Sequence, residues 1–291
     1  MKSSVYPSFL ESEIPPSSFE EANTHIIPVE MEKSVSYGTG TANGPRAILE
    51  ASQQLEAFDG KGIPCRTGIY THPPVQCRAE KTEEDIEQIS KVIARVLQNN
   101  SIPVIIGGEH TVTLGSLKAF KDLEEKIGII QFDAHADLRD TYDGNPLSHA
   151  CVIRRAHDMG YYIMQIGIRS LSQEEHVFRK AKHIPCLNAE TINQTGVPIE
   201  ILPPDFPRNI YITFDIDCFD PSIMPATGTP EPGGLTWYQV MDALKWVTSG
   251  RNICGFDVVE LAPSGGFHTA DFTAAKLVYT MIGIISRSRS V

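Results

Sequence analysis

A basic excess is missing from this sequence. Its 25 Lys and Arg stand against 36 Asp and Glu, a net charge of −11 with His neutral. Nucleic acid or an anionic bilayer as main partner would call for the opposite balance. Long apolar runs are missing too: none reaches the roughly 18 residues that a membrane-spanning helix needs. The opening residues, MKSSVYPSFLESEIPP, contain no apolar block and carry acids early, so no secretory leader is expected. Paired cysteines are absent. Cys65, Cys77, Cys151, Cys186, Cys218 and Cys254 are widely spaced, form no CxxC and sit mostly in or beside apolar runs, as buried free thiols do. Walker and GxSxG sequences are absent, and YGTGTANG at 37–44 misses the GxGxxG spacing. These absences point to a soluble protein of a reducing compartment, the cytoplasm, with neither nucleic acid nor membrane as partner.

What is present is an alternation of short apolar runs with helix-like segments. Strands are expected at 25–29, 65–70, 103–107, 127–133, 163–168, 183–187, 210–217 and 253–260. Helices are expected at 45–58, 83–98 (with Thr82 as N-cap), 113–123, 149–159, 173–181, 236–248 and 270–286. Fully apolar strands alternating with helices argue for an α/β protein, a mostly parallel sheet covered on both faces. Residues 1–22, rich in Pro, Ser and Glu, read as an irregular arm, and 23–291 as one domain without a composition break.

In such folds ligands sit beyond the carboxyl ends of the strands, and four expected strands end in acid or imidazole. PVIIGGEH delivers Glu109 and His110. IIQFDAHAD delivers Asp133, His135 and Asp137, which share a face if the chain stays extended. IYITFDID delivers Asp215 and Asp217, and ICGFDVVE delivers Asp257 and Glu260. Singly, each has a plain reading: a hydrogen-bonded pair, a Gly-Gly turn, a surface loop. Jointly they crowd carboxylates that cannot coexist as free anions. Divalent cations remove that conflict. A donor set of oxygen with some imidazole suits Mn²⁺ better than zinc, and six ligands suit two ions rather than one.

At these residues the sequence resembles the ureohydrolase family of arginases and agmatinases. GGEHT, FDAHADLRD, SHAC, TFDIDCFDPSIMPATGTPEPGGL and DVVEL carry the resemblance, which extends from about residue 25 to the end. It implies a three-layer α/β/α sandwich with an eight-stranded, mainly parallel sheet. It also implies two Mn²⁺ per subunit, a trimer or hexamer, and hydrolysis of a small cationic guanidinium substrate to urea and an amine. By the same resemblance one ion falls to His110, Asp133, Asp137 and Asp215, and the other to Asp133, His135, Asp215 and Asp217. His149 takes the proton-shuttle position and Glu260 pairs with the guanidinium. Glu109 and Thr111 stand where many members have Asp and Ser, and Ala150 where Gly is common.

The loop LRDTYDGNPLS between Asp137 and His149 lacks the Ser-Gly-Asn-x-His arrangement of arginases and is similar to the agmatinase type. Its acids Asp140 and Asp143 would repel a carboxylate and tolerate an amine, with Asp143 as a substrate contact; Arg139 opposes that charge argument. The expectation is agmatine hydrolysis to putrescine and urea, a step of polyamine biosynthesis. Alternatives are arginase, guanidinobutyrase, guanidinopropionase or formimidoylglutamase activity, a metal-dependent deacetylase on a related fold, and a non-enzymatic binding protein.

Overall fold

Apolar, β-branched runs build the sheet. The computed structural model describes residues 6–121 and 126–288. Within them lie β1 Thr24–Glu30, β2 Ile69–Thr71, β3 Val75–Gln76, β4 Ile102–Gly107, β5 Ile127–Phe132, β6 Tyr162–Ile166, β7 Cys186–Leu187, β8 Asn209–Asp215 and β9 Asn252–Val259. They pair in the order β2-β1-β4-β9-β8-β5-β6-β7, with β3 beside β1. Each pairing is parallel. A strand overlaps each of the eight expected ranges, but 65–67 lie in a 3₁₀ turn before β2, and only the last two residues of 183–187 form β7. The ninth, β3, is two residues long and continues the β1 edge that β2 begins.

Alternation along the strands divides the core between two faces. On β4, Val104 and Ile106 join the cluster containing Ile48, Leu244 and Leu277, whereas Ile105 joins Ile89 and Ile93. On β5, Ile130 and Phe132 join the first cluster and Ile129 joins Leu117 and Val152. Helices α1 (Gly44–Ser52), α7 (Trp237–Thr248) and α8 (Thr269–Ser288) thus cover one face. Helices α2 (Thr82–Gln98), α3 (Thr113–Lys121) and α4 (Val152–Asp158) cover the other. The three layers are those expected. Two further helices are α5 (Gln173–Ala181) and α6 (Ala189–Thr195); the short, polar α6 was not anticipated.

Several boundaries differ from expectation. Helix α1 stops at Ser52, not Phe58, because the Ser52 hydroxyl turns back to Leu49 O and accepts Leu10 N–H. Thr82 is the first helical residue, and Lys81 precedes it without a side-chain cap. His149–Cys151 is a 3₁₀ turn leading into α4. The last two residues expected for the helix at 113–123 lie outside the described residues. Residues 6–22 hold turns and no helix or strand, yet Phe9 and Leu10 are buried in the main core. All six cysteines are free. Among the described residues no helix is long and apolar enough to cross a membrane.

Far from the strand ends that carry acids, His25 and His72 share a hydrogen at 3.0 Å, and the other His25 nitrogen lies 3.2 Å from Ala22 O. Both rings are satisfied when neutral. Burial, then the charges of His25 and Arg95, hold His72 down to about 4. An unfolded His binds a proton below about 6.5, so its contribution is complete above that pH and is lost as pH falls toward 4. Allowing for partial exposure, the loss is on the order of 2 kcal/mol. Urea denaturation at pH 7 and pH 4.5 should show a smaller acid-induced drop in His72→Gln than in the wild type; equal drops would exclude this pair as the cause.

Candidate metal centre

Topology brings the four chemistry-bearing strands together: β4, β9, β8 and β5 are consecutive in the sheet and parallel, so their carboxyl ends form one edge. Each then leaves strand geometry in its own way. After β4, Gly108 lies so close to the loop after β1 that a Cβ there would collide with Met31 O. Backbone bonds Gly108 N–H to Val29 O and Glu109 N–H to Met31 O, both 2.9 Å, fix that turn, and His110 opens a 3₁₀ turn.

Two expectations about extended geometry are corrected here. Strand β5 ends at Phe132, so Asp133, His135 and Asp137 do not share a face by strand alternation; the chain bends, and Asp137 has φ 52°. Strand β8 ends at Asp215, because the Asp217 N–H donates to Asp215 Oδ1 at 2.9 Å and draws 216–218 into a 3₁₀ turn. The side chains converge nonetheless. Glu260, just after β9, has φ 68°. Left-handed backbone at a non-glycine residue costs on the order of 1–3 kcal/mol and persists only when its surroundings hold it. Here Arg154 N–H donates to Asp137 O at 2.9 Å, and Glu260 N–H donates to Gly108 O at 2.8 Å.

Two groups of side chains could each hold a metal ion: His110, Asp133 and Asp137, and Asp133, His135 and Asp217. His110 Nδ1 lies 2.9 Å from Asp137 Oδ2, 3.3 Å from Asp133 Oδ2 and 3.6 Å from Asp215 Oδ2. Asp215 therefore adjoins the first group. His135 Nδ1 lies 2.9 Å from Asp217 Oδ2 and 3.7 Å from Asp133 Oδ1. Asp133, common to both groups, is fully buried.

Charge in this cluster is out of balance. Burial would favour neutral His110, but the Asp133 and Asp137 carboxylates push its pKa well above the usual range. His135 is raised to about 12 against burial, by Asp217 and Asp133. Burial and the Asp133 charge lift Asp137 to about 7, and burial with the charges of Asp217, Asp133 and Glu260 lifts Asp215 well above the ordinary carboxylate range. Glu260 rises to about 8, mainly through burial. Each shift is a demand for positive charge among these oxygens.

The residues fit divalent ions on a second observation. His110 Nδ1 is buried and makes no hydrogen bond despite its three carboxylate neighbours. Its other nitrogen, Nε2, lies 2.8 Å from Thr213 Oγ1. The Thr213 hydroxyl donates to Asp257 Oδ1 at 2.7 Å, and Asp257 also accepts from Tyr211 and Thr113. Thr213 can therefore only accept from His110, which keeps a proton on Nε2 and makes Nδ1 the nitrogen that can give up its proton to offer a lone pair to a cation. Thr213→Val should weaken metal binding by roughly 10–100-fold, as loss of such an orienting partner does, with Thr213→Ser restoring it. Titration of chelator-treated protein with Mn²⁺ measures this; unchanged affinity in the Val variant would remove Thr213 from the site.

A cavity of about 270 Å³ opens over these groups, lined by His110, His135, Asp137, Asp215, Asp217, His149 and Glu260. Its outer wall carries Arg139, Tyr142 and Glu175. Asp143 is exposed in a turn and is not among the lining residues. Asp140 is exposed and paired with Arg155 at 2.6 Å. Neither acid supplies the charge assigned to it from sequence. Arg139 lies instead over the Tyr142 ring, 5.3 Å from its centroid, with Nε 3.8 Å from Glu175 Oε2.

Supporting residues went unread in the sequence. Gln165 donates to Gln131 Oε1 at 2.7 Å, and Gln131 donates to Asp133 Oδ2 at 2.7 Å. Gln131, Gln165 and Thr213 are fully buried. A polar residue inside an apolar strand was the available signal for all three.

Comparisons with known proteins bear on the family and the fold. A family model described as the arginase family matches residues 22–283. An N(1)-aminopropylagmatine ureohydrolase of Synechocystis is 36% identical, covering 97% of this chain and 94% of that protein. An agmatinase of Pyrococcus horikoshii is 33% identical, covering 97% and 99%. Among solved structures, the agmatine ureohydrolase of Thermoplasma volcanium superposes with a TM-score of 0.87 at 29% identity, covering 99% of this chain and 97% of that one. The chain belongs to the arginase family and is a hydrolase, a ureohydrolase of the agmatinase–arginase group.

Proposed function

We propose that this ureohydrolase acts on a guanidine with a cationic tail, agmatine first, releasing urea and putrescine in the cytoplasm as a step of polyamine biosynthesis, in a homo-oligomer. The charge of the cavity carries the reading. Asp137, Asp215, Asp217, Glu260 and Glu175 are five lining carboxylates, with the buried Asp133 beside them, set against one guanidinium, Arg139, which Glu175 already faces. Two divalent cations leave such a pocket at or below neutrality, so a dication is favoured and a substrate carboxylate has no unpaired cation to meet.

Two Mn²⁺ ions suit the oxygen-rich donor set, His110, Asp133, Asp137 and Asp215 holding one and Asp133, His135, Asp215 and Asp217 the other. When bound, they supply a water ionised near neutral pH and polarise the substrate carbon. Glu260 has Oε1 occupied by the His110 N–H at 2.6 Å, and its second oxygen is left to pair with the guanidinium. His149 delivers a proton to the departing amine, which cannot leave unprotonated. Burial, more than any neighbouring charge, lowers the His149 pKa and favours the neutral ring.

A second reading, agmatine extended by an aminopropyl group, is favoured by the name of the Synechocystis relative and by the open rim, where Tyr37 is 84% exposed. Urea release should be measured with Mn²⁺ on agmatine, N(1)-aminopropylagmatine, arginine and 4-guanidinobutyrate. The two polyamine-type substrates should exceed the two carboxylates by at least about 10²-fold in kcat/KM, the worth of one unmatched charge. Faster turnover of arginine or guanidinobutyrate would overturn the reading.

A further inference from the structure

Glu109 has no task in the chemistry above, although it is fully buried beside the cluster. Its oxygens are all spoken for. Oε2 accepts the backbone N–H groups of Lys33 and Ser34, each at 2.6 Å, and Oε1 accepts the Ser34 hydroxyl at 3.1 Å. Three donors and no acceptor keep this carboxylate an anion that only receives. The Ser34 hydroxyl has one proton, and Glu109 takes it. Its lone pairs then face His149 twice: the backbone N–H of His149 at 3.0 Å and the ring Nδ1 at 3.2 Å.

We infer that Glu109 and Ser34 are positioning residues that fix the tautomer of His149. With its proton committed to Glu109, Ser34 Oγ accepts from Nδ1–H and leaves Nε2, across the ring, as the nitrogen that exchanges protons with substrate. Ser148 Oγ, also 3.2 Å from Nδ1, can accept the same hydrogen when Nδ1 carries it. Were Nδ1 unprotonated, its lone pair would oppose a Ser34 oxygen that has no hydrogen to offer. The loop bearing Ser34 is itself locked to the turn bearing Glu109 by the backbone bonds from Gly108 and Glu109 to Val29 and Met31. The added methylene of Glu over Asp is what spans from that turn to the Lys33 and Ser34 amides. The inference rests on the reading of His149 as proton carrier only for its effect on rate, not for the tautomer.

Glu109→Gln makes the sharpest test, because it should invert the tautomer without emptying space. The amide oxygen keeps the two backbone N–H groups, and the amide NH₂ donates to Ser34 Oγ. The Ser34 proton then turns to His149 Nδ1, and the ring proton moves to Nε2. Imidazole ¹⁵N spectra of the full-length chain in Mg²⁺ buffer, with His149 assigned by its loss in His149→Asn, read this directly. Wild type should show Nδ1–H and Glu109→Gln should show Nε2–H. Ser34→Ala, which removes the acceptor with little change in volume, should lose the Nδ1–H preference, and Ser34→Thr should keep it. An Nε2–H wild type, or spectra that do not respond to either variant, would overturn the inference. In urea release, Ser34→Ala and Glu109→Gln should lower kcat by about 10–100-fold, part of the general-acid contribution, with KM and bound Mn²⁺ unchanged and Ser34→Thr active. A rate loss that tracks lost Mn²⁺ would likewise refute it. If the tautomers behave as stated while no guanidine is hydrolysed, the relay stands and the proposed function falls.

Discussion

Asp133→Asn should empty both metal positions at once and lower urea release by roughly 10³-fold or more, the several kcal/mol that two bound cations contribute. Asp133 is the residue common to the two three-residue groups, and with Asp215 it belongs to both proposed ligand sets. Each of its oxygens also accepts from protein: Oδ2 from Gln131 Nε2 at 2.7 Å, and Oδ1 from the His135 N–H at 2.6 Å. Gln131 cannot flip to accommodate an amide, because Gln165 donates to its oxygen at 2.7 Å. An Asn side chain in either orientation thus sets an N–H against an N–H and offers one oxygen where two are needed. Metal analysis should find stoichiometry falling from two toward zero, while circular dichroism shows a folded chain. A folded Asp133→Asn protein that retained both ions and turnover would end the two-ion reading.

Glu260→Gln should cost about 2–5 kcal/mol in kcat/KM, the range for removing one member of a buried, hydrogen-bonded charge pair. That is roughly 30-fold to several thousand-fold. The amide can still accept the His110 N–H, which Glu260 Oε1 now accepts at 2.6 Å, so the metal cluster should survive. What it loses is the negative charge and the remaining acceptor oxygen proposed to meet the guanidinium. Steady-state kinetics on agmatine with Mn²⁺ content measured alongside decides the matter. A variant with full metal and unchanged kcat/KM would remove Glu260 from substrate recognition.

Elements and motifs were legible in the sequence to different degrees. The strands of the sheet centre carried unbroken apolar runs such as PVIIG and IYITF, and the acids at their ends stood out against that background. Strand ends were less legible. Asp215 and Asp217 are spaced as strand neighbours, but a carboxylate that accepts an N–H two residues ahead makes a turn of the same letters. In the loop from Arg139 to Ser148 the substrate contact was read from motif likeness and formal charge. Its acids were given to the substrate, but Asp140 pairs with Arg155 and Asp143 is not among the residues lining the cavity, and no local pattern announces a partner fifteen residues on. Ser34, 75 residues from Glu109 and 115 from His149, is beyond any reading by spacing.

Strand β9 is the last strand along the chain, yet it lies at the middle of the sheet, paired with β4 on one side and β8 on the other. On its two sides stand β2-β1-β4 and β8-β5-β6-β7, each made of chain synthesised earlier. Until β9 enters, His110 sits on one half-sheet and Asp133, His135, Asp137, Asp215 and Asp217 sit on the other, across an empty slot. The chain through β9 must therefore have emerged before the cage can close. Pulse-labelling hydrogen exchange during refolding should find β9 amides protected no earlier than those of β4 and β8; earlier protection would contradict this order. Occupied metal is then a certificate of assembly: an ion held by all the ligands reports a chain whose final strand has reached the centre.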